Sequence, residues 1–186
     1  MQVLETGLLQ QHGIKSIGVA GHPEGSKDIP AEEIARSVAE KNAYAKATGT
    51  ELYIATQFCF DAEAIIAWDR DLRRAGNTLP IHLGLAGPAK LKSLIHYAAM
   101  CGVGPSMRFL TRQAMNIAKL ASVSVPDKLL TELADYRAKD AGCGIAQLHL
   151  FAFGGLERSA RWVKAMQEGR FILDGRGGFA MDESLD

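Results

Sequence analysis

Four short aliphatic segments that alternate with longer helical patterns place the strongest constraint on how this chain can fold. The segments are Ser16–Ala20, Glu51–Gln57, Ile81–Leu85 and Ala146–Phe153, and each has the length and aliphatic content of a strand. Proline, aspartate and glycine punctuate the helical patterns between them, and one helix is predicted from Pro88 to Gly102. Strands that alternate with helices predict parallel βα units, so the fold class is α/β.

The alternation of side chains within the predicted strands indicates which kind of α/β fold this is. In the second strand Leu52, Ile54 and Phe58 fall on one face, and smaller or polar residues fall on the other. The other three strands divide in the same way. An open doubly wound sheet is apolar on both faces, whereas a small or polar face suits the lumen of a barrel with room for a ligand. We therefore favour a (β/α)8 TIM barrel over an open sheet.

The length of the chain limits how much of a barrel it can form. A complete (β/α)8 barrel typically takes about 250 residues, whereas this chain has 186. Gly104–Gly142 is predicted to be helical, interrupted near Pro126, with no strand. We expect a single domain over residues 1–186 that supplies about four βα units, a partial barrel. Such a sheet has two unpaired edges, so we expect a partner that covers them, either the other half of a barrel or a second copy.

Composition and charge exclude several classes of function. The 21 Lys and Arg residues balance 21 Asp and Glu residues, so the chain lacks the clustered positive charge that binds nucleic acid or an anionic membrane. Residues 1–13 resemble neither a signal peptide nor a membrane span. Cys59, Cys101 and Cys143 are an odd number of cysteines far apart in sequence, which predicts reduced, buried thiols in a cytoplasmic protein and no metal site.

Two motifs at the predicted strand ends resemble the methylenetetrahydrofolate reductase family. They are GVAGHPEG at Gly18–Gly25 and ATQFCFD at Ala55–Asp61, and the resemblance covers the carboxyl-terminal half of the family's (β/α)8 barrel, from about His12 to Arg161. It implies FAD-mediated hydride transfer from NADH or NADPH to 5,10-methylenetetrahydrofolate, giving 5-methyltetrahydrofolate. The resemblance also implies that the family's proton-donating glutamate lies on strands ahead of Met1. We therefore expect no catalytic acid in this chain and little activity without the amino-terminal half.

The resemblance implies cofactor-binding roles for three residues. Ala20 and His22 fall at the turn that contacts the flavin, where His22 replaces a family tyrosine. Lys46 lies near a family lysine that meets the FAD phosphates, although the register there needs a gap, and an exposed surface lysine is the alternative interpretation.

Three further residues are implied on the folate side. Gln57 matches the glutamine that binds the pterin, and its carboxamide offers the donor and acceptor that a pterin edge needs; the alternative is a glutamine that satisfies a neighbouring backbone group. Tyr97 matches a stacking aromatic, but on an ideal helix that begins at Pro88 it would lie about 13 Å from the strand ends. The family's substrate-side arginine has no direct match, since Gly154–Gly155 stands in its place. Arg158, one turn later, could replace it, or the two exposed backbone amides at that helix start could instead hold an anion.

Two alternatives to a reductase stay open at this point. The chain could be a non-catalytic half-barrel that binds folate or another pterin, or a truncated gene product with no independent role. Flavin binding distinguishes the enzyme from the binding module, because only the enzyme needs the cofactor.

Overall fold

The computed structural model describes residues 1–26, 28–102 and 122–181. The strands are β1 Ser16–Gly21, β2 Glu51–Cys59, β3 Ile81–Ala86, β4 Ala89–Lys90, β5 Val123–Ser124, β6 Ile145–Phe151, β7 Phe171–Leu173 and β8 Phe179–Met181. Four of them form a parallel sheet in the order β1-β2-β3-β6. The four predicted strands are therefore confirmed, as is the α/β class.

The helices follow the strands in the expected alternation. They are α1 Gln2–Glu5, α2 Leu8–Gln11, α3 Ala31–Thr48, α4 Ala62–Arg74, α5 Leu91–Met100, α6 Asp127–Lys139 and α7 Leu156–Gln167. Asp61 caps α4, since its carboxylate accepts hydrogen bonds from the backbone N–H groups of Glu63 and Ala64. Gly49 ends α3 with a φ of 69°, a left-handed conformation that glycine adopts without strain.

Two local predictions need correction, and one element was not predicted. The helix expected from Pro88 begins at Leu91, because Ala89–Lys90 is a short strand that pairs with Val123–Ser124. The expectation of no strand between Gly104 and Gly142 is therefore wrong. The sequence also gave no sign of the antiparallel hairpin β7–β8 near the carboxyl terminus. The helix predicted between Gly104 and Pro126 lies outside the described residues as far as position 121.

The core lies on the face of the sheet that the helices cover. Ile54, Ile65, Ile81, Leu83 and Leu85 are fully buried there. A bulge between Ala55 and Phe58 adds one residue to β2, and the register after it pairs Phe58 with Gly84 and Cys59 with Leu85. Phe58 therefore leaves the face of Leu52 and Ile54, and Cys59 takes its place. The prediction that Phe58 shares their face is wrong for this reason.

A buried polar cluster joins the helices at the amino end of β6. The Asp69 carboxylate in α4 is fully buried and accepts hydrogen bonds from the Tyr136 hydroxyl and from the Gly144 backbone N–H. Arg73 lies 3.4 Å from Asp69 and donates to Tyr136 and to both oxygens of Asp140. Hydrogen bonding to Arg73 lowers the pKa of Asp140. This cluster, which we call the α4–α6 clip, ties α4, α6 and β6 together.

The cysteines are only partly as expected. All three are free thiols, and Cys59 is buried, which raises its pKa. Cys143 is half-buried and Cys101 is exposed, so the prediction of three buried thiols is wrong for Cys101. In the part of the chain that the structure describes, no helix is long and apolar enough to cross a membrane.

Candidate functional site

Aromatic rings gather at the carboxyl ends of β2 and β6. Phe58, Tyr97, Phe151 and Phe153 form this cluster, which we call the aromatic wall. The rings of Tyr97 and Phe153 stack with centroids 4.4 Å apart and an angle of 18° between their planes. Phe58 meets the edges of Phe151 and Phe153 at 5.6 and 4.8 Å. All but Phe58 are half-buried, so the wall offers an apolar, flat-sided surface beside the strand ends.

Tyr97 reaches the strand ends because its helix starts late. The segment before α5 is extended, and the turn after β6 packs directly on it: a Cβ on Gly154 would meet the backbone oxygen of Pro88 and the Cα of Ala89 at 2.0 and 2.9 Å. Only glycine permits this approach. The objection that Tyr97 lies too far from the strand ends assumed an ideal helix that begins at Pro88. It therefore does not apply to this structure.

Gln57 lies in the bulge of β2, one residue before Phe58 of the wall. The Thr56 hydroxyl holds this bulge, since it accepts a hydrogen bond from the Gly84 N–H at 2.8 Å and donates one to the Gln57 carbonyl at 2.7 Å. The Gln57 side chain is half-buried. Within the described residues no hydrogen bond engages its carboxamide, so the interpretation in which that group satisfies a neighbouring backbone atom has no support there.

A second group of rings lies on the same face of the sheet, nearer the amino ends of the strands. Tyr53 stacks on His82 with centroids 3.9 Å apart, and His149 meets the edge of Phe151 at 4.8 Å. Burial, and to a lesser extent His149, lowers the pKa of His82. The neutral imidazole of His82 stacks on the Tyr53 phenol without an unpaired buried charge. The rings of His82 and His149 thus continue the wall toward the middle of the sheet.

A cleft of about 450 Å³ lies between the end of β1 and α3. Ala20 and His22 line it, together with Ser37, Val38 and Lys41 of α3. The Lys41 ammonium donates to the Ser37 hydroxyl at 2.6 Å, and burial lowers the pKa of Lys41. Burial and the Lys41 charge lower the pKa of His22. The cleft therefore combines apolar side chains with charges of both signs: the cations are Lys41 and Arg36, and the carboxylates are Asp28, Glu33 and Glu40.

The structure separates Lys46 from this cleft. Lys46 is exposed in the last turn of α3, whereas the cleft is lined by residues up to Lys41. Five residues of helix separate the two lysines, a rise of about 7 Å along the axis. The structure therefore supports the surface interpretation of Lys46 and brings Lys41 to the cofactor-side residues instead.

Arg158 is half-buried in the first turn of α7. This turn packs on the end of β3, where a Cβ on Gly87 would lie 2.8 Å from the Ser159 hydroxyl. Arg158 thus lies near the strand ends, as expected. Across the described chain no three His, Cys, Asp or Glu side chains are arranged to hold a metal ion.

Sequence reasoning assigned no role to three contributors to this rim: Phe153, Thr56 and Lys41. The pair Phe151 and Phe153 at the end of the last predicted strand was a readable signal, because alternate residues of a strand share a face. The role of Thr56 depends on the bulge, which the sequence does not reveal. Choosing Lys41 over Lys46 as the lysine beside the cleft requires the position of α3 relative to β1.

Parallel βα units that carry glycines, rings and polar groups at the carboxyl ends of their strands define a class of α/β proteins whose ligand sites lie at that edge. No protein-family model matches this chain. The chain is 28% identical over 147 residues to methylenetetrahydrofolate reductase 1 of Schizosaccharomyces pombe (strain 972 / ATCC 24843). The match covers 79% of this chain and only 23% of the length of that relative. The chain is therefore related to the methylenetetrahydrofolate reductases, which confirms the resemblance seen in its motifs.

Proposed function

We propose that this chain is the carboxyl-terminal, ligand-binding half of a methylenetetrahydrofolate reductase-like flavoprotein with a (β/α)8 barrel. The observation that carries the proposal is the stacked pair Tyr97 and Phe153 beside the bulge that bears Gln57. A pterin is a flat ring with a mixed donor and acceptor edge. Rings that stack on its face and a carboxamide that pairs with its edge are the groups needed to hold it.

The cleft at the end of β1 fits the flavin cofactor that the relationship implies. Its volume of about 450 Å³ lies within the range of small-molecule sites. Val38 and Ala20 offer apolar contact, and Lys41 offers a cation for a phosphate. When bound, FAD would accept a hydride from NADH or NADPH and give it to the folate.

The residues of this chain bind and orient the two ring systems rather than supply a catalytic acid. Asp61, the carboxylate nearest Gln57 in sequence, is engaged as the cap of α4. We therefore assign the proton donor to strands outside this chain. Without those strands we expect slow or no turnover, because a general acid commonly raises the reaction rate about 10²–10⁴-fold.

Replacing Gln57 by alanine tests the folate side of the proposal. We expect the affinity for methylenetetrahydrofolate or a stable folate analogue to fall by about 1–3 kcal/mol, since the pterin edge would lose its paired donor and acceptor. Isothermal titration calorimetry measures the change, with Gln167→Ala at the exposed end of α7 as the control. Equal affinities for the two variants and the parent chain would remove Gln57 from the site.

Replacing Lys41 by glutamine tests the flavin side. We expect binding of FAD and FMN, followed by quenching of flavin fluorescence, to weaken about 10-fold or more, because a charge-assisted hydrogen bond to phosphate is lost. Riboflavin, which has no phosphate, should bind both proteins equally. Lys46→Gln is the matched control and should leave all three affinities unchanged; the opposite ranking of the two lysines would restore the original assignment to Lys46.

The folate and flavin titrations of the parent chain together decide between the reductase and a non-catalytic pterin-binding module. The module is favoured by one observation: the aromatic wall consists of four rings, and the group beside it in β2 is the amide of Gln57 rather than an acid. A parent chain that binds folate but neither FAD nor FMN would support the module.

A further inference from the structure

The Thr56 hydroxyl joins the backbones of two neighbouring strands at the ligand-binding edge of the sheet. Thr56 is 3% exposed and comes directly before Gln57 in β2. Its hydroxyl accepts a hydrogen bond from the Gly84 N–H of β3 at 2.8 Å and donates one to the Gln57 carbonyl at 2.7 Å. It therefore ties β3 to the residue that carries the proposed pterin-binding amide.

The orientation of the Thr56 side chain is fixed by the strands on both sides of β2. A Cβ on Gly21 of β1 would lie 3.2 Å from the Thr56 methyl group, so the methyl group faces β1. The hydroxyl faces β3, where it meets the Gly84 N–H. Because a β-branched side chain has few χ1 rotamers available, the hydroxyl is held in this position before any ligand binds.

The bulge that Thr56 holds gives two consecutive residues of β2 the same face of the sheet. In a regular strand, Gln57 and Phe58 would point to opposite faces. Gln57 follows the alternation of Tyr53 and Ala55. The extra residue, however, pairs Phe58 with Gly84 and so brings its ring into the aromatic wall. The bulge therefore places an amide and a ring next to each other at the rim, as bulges beside active sites do when they redirect a side chain.

A second donor also reaches the Gln57 carbonyl. The Cys59 thiol lies 3.5 Å from this oxygen, and burial raises the pKa of Cys59, so the thiol keeps the proton that it donates. A thiol is a weak donor, whereas the hydroxyl of Thr56 forms a short bond to the same oxygen. The hydroxyl is therefore the stronger of the two restraints on the backbone of Gln57.

We propose that Thr56 is a positioning residue for folate recognition, whose hydroxyl fixes the backbone of Gln57 so that the carboxamide meets the edge of a pterin ring at the aromatic wall. The inference rests on the proposed function, since it requires that Gln57 binds the pterin. Both hydrogen bonds of the Thr56 hydroxyl go to backbone atoms, so Thr56 acts through Gln57. Hydrogen bonds weaken steeply when their geometry is poor, so a small shift of the Gln57 backbone is enough to weaken binding.

Thr56→Val tests the proposal, because valine keeps the shape and the methyl group of threonine but forms neither hydrogen bond. We expect the affinity for 5-methyltetrahydrofolate, measured by isothermal titration calorimetry, to fall about 10-fold or more. Thr56→Ser keeps the hydroxyl and should bind within about threefold of the parent chain. Thr56→Cys, whose thiol forms weaker bonds of the same kind, should show an intermediate loss, and it provides the same test if Thr56→Val does not fold.

Thr131→Val is the matched control. The Thr131 side chain is half-buried, and its hydroxyl also donates to a backbone carbonyl, that of Asp127 at 3.0 Å, but it lies in α6 rather than in β2. We expect this variant to lose one hydroxyl hydrogen bond and to bind 5-methyltetrahydrofolate as the parent chain does. Circular dichroism spectra and thermal melts of all variants show that they are folded.

The Gln57→Ala background separates positioning from a purely structural role. Thr56→Val leaves the buried Gly84 N–H without a partner, so we expect a lower melting temperature whatever its effect on folate binding. If Thr56 acts through the Gln57 amide, adding Thr56→Val to Gln57→Ala should change the folate affinity by less than about twofold, because the two substitutions remove the same interaction.

The outcomes distinguish this inference from the proposed function. Equal affinities for Gln57→Ala and the parent chain would overturn the role of Gln57, and the inference with it. If Gln57→Ala does weaken binding, three results would overturn the positioning role alone. They are a Thr56→Val chain that melts at a lower temperature but binds folate as the parent does, a Thr56→Ser chain that binds as weakly as Thr56→Val, or a full additional loss in the Gln57→Ala background.

Discussion

Replacing Asp69 by alanine is expected to lower the free energy of unfolding by about 3–5 kcal/mol, as for other broken buried ion pairs. Asp69 is fully buried, and its two oxygens receive the Tyr136 hydroxyl and the Gly144 N–H. Removal of the carboxylate leaves those donors, and the nearby Arg73 guanidinium, without their buried partner. Urea unfolding followed by circular dichroism measures the loss.

Asp71→Ala is the control for this experiment. Asp71 lies two residues away on the same helix, and its exposed ion pair with Arg74 should contribute no more than about 1 kcal/mol. Asp69→Asn keeps the shape and one acceptor, and we expect it to fall between the two alanine variants. Equal midpoints for Asp69→Ala and Asp71→Ala would show that the α4–α6 clip does not stabilise the fold.

Replacing Gly84 by alanine is expected to destabilise the fold by about 1–3 kcal/mol, the usual range for overpacking, and to weaken folate binding at the same time. A Cβ at this position would lie 2.5 Å from the Thr56 backbone oxygen and 2.8 Å from the Gln57 backbone oxygen. Backbone atoms cannot swing away as a side chain does. The bulge of β2 must therefore shift, and Gln57 shifts with it. Thermal melting and folate titration measure the two effects.

Gly18→Ala is the comparison for Gly84. Its Cβ would approach the Tyr53 ring at 2.9 Å, but this obstacle is a half-buried side chain rather than backbone. We expect a smaller loss of stability and folate affinity within about twofold of the parent chain. Equal folate affinities for Gly84→Ala and the parent would show that the bulge does not position Gln57.

The sheet was predictable from the sequence because each strand carries a local signal. The aliphatic alternation of Ile81, Leu83 and Leu85 marks a buried face, and Asp61 marks the start of α4 with an ordinary capping pattern. The motifs around His22 and Gln57 also pointed to the strand ends, where the structure places both residues.

The remaining features depend on contacts between distant residues, which no local pattern reveals. The bulge that moves Phe58 to the other face is held by a hydrogen bond from Gly84 to Thr56, 28 residues away. Tyr97 meets Phe153 because Gly154 packs on Pro88, 66 residues away in sequence. The α4–α6 clip joins Asp69 to Tyr136 and Gly144, and nothing near Asp69 in sequence distinguishes it from an ordinary helix-surface carboxylate.

The stacked pair of Tyr97 and Phe153 has a consequence for how any ligand enters the rim. A planar ring inserted between them would need about twice their 4.4 Å separation, and the Gly154–Pro88 contact holds the two backbones in place. A ligand ring therefore cannot insert between Tyr97 and Phe153. It must instead stack on an outer face of one of the two rings. A surface assembled in advance in this way loses little side-chain freedom on binding. Recognition at this rim should then depend more on the shape of the ligand ring than on rearrangement of the protein.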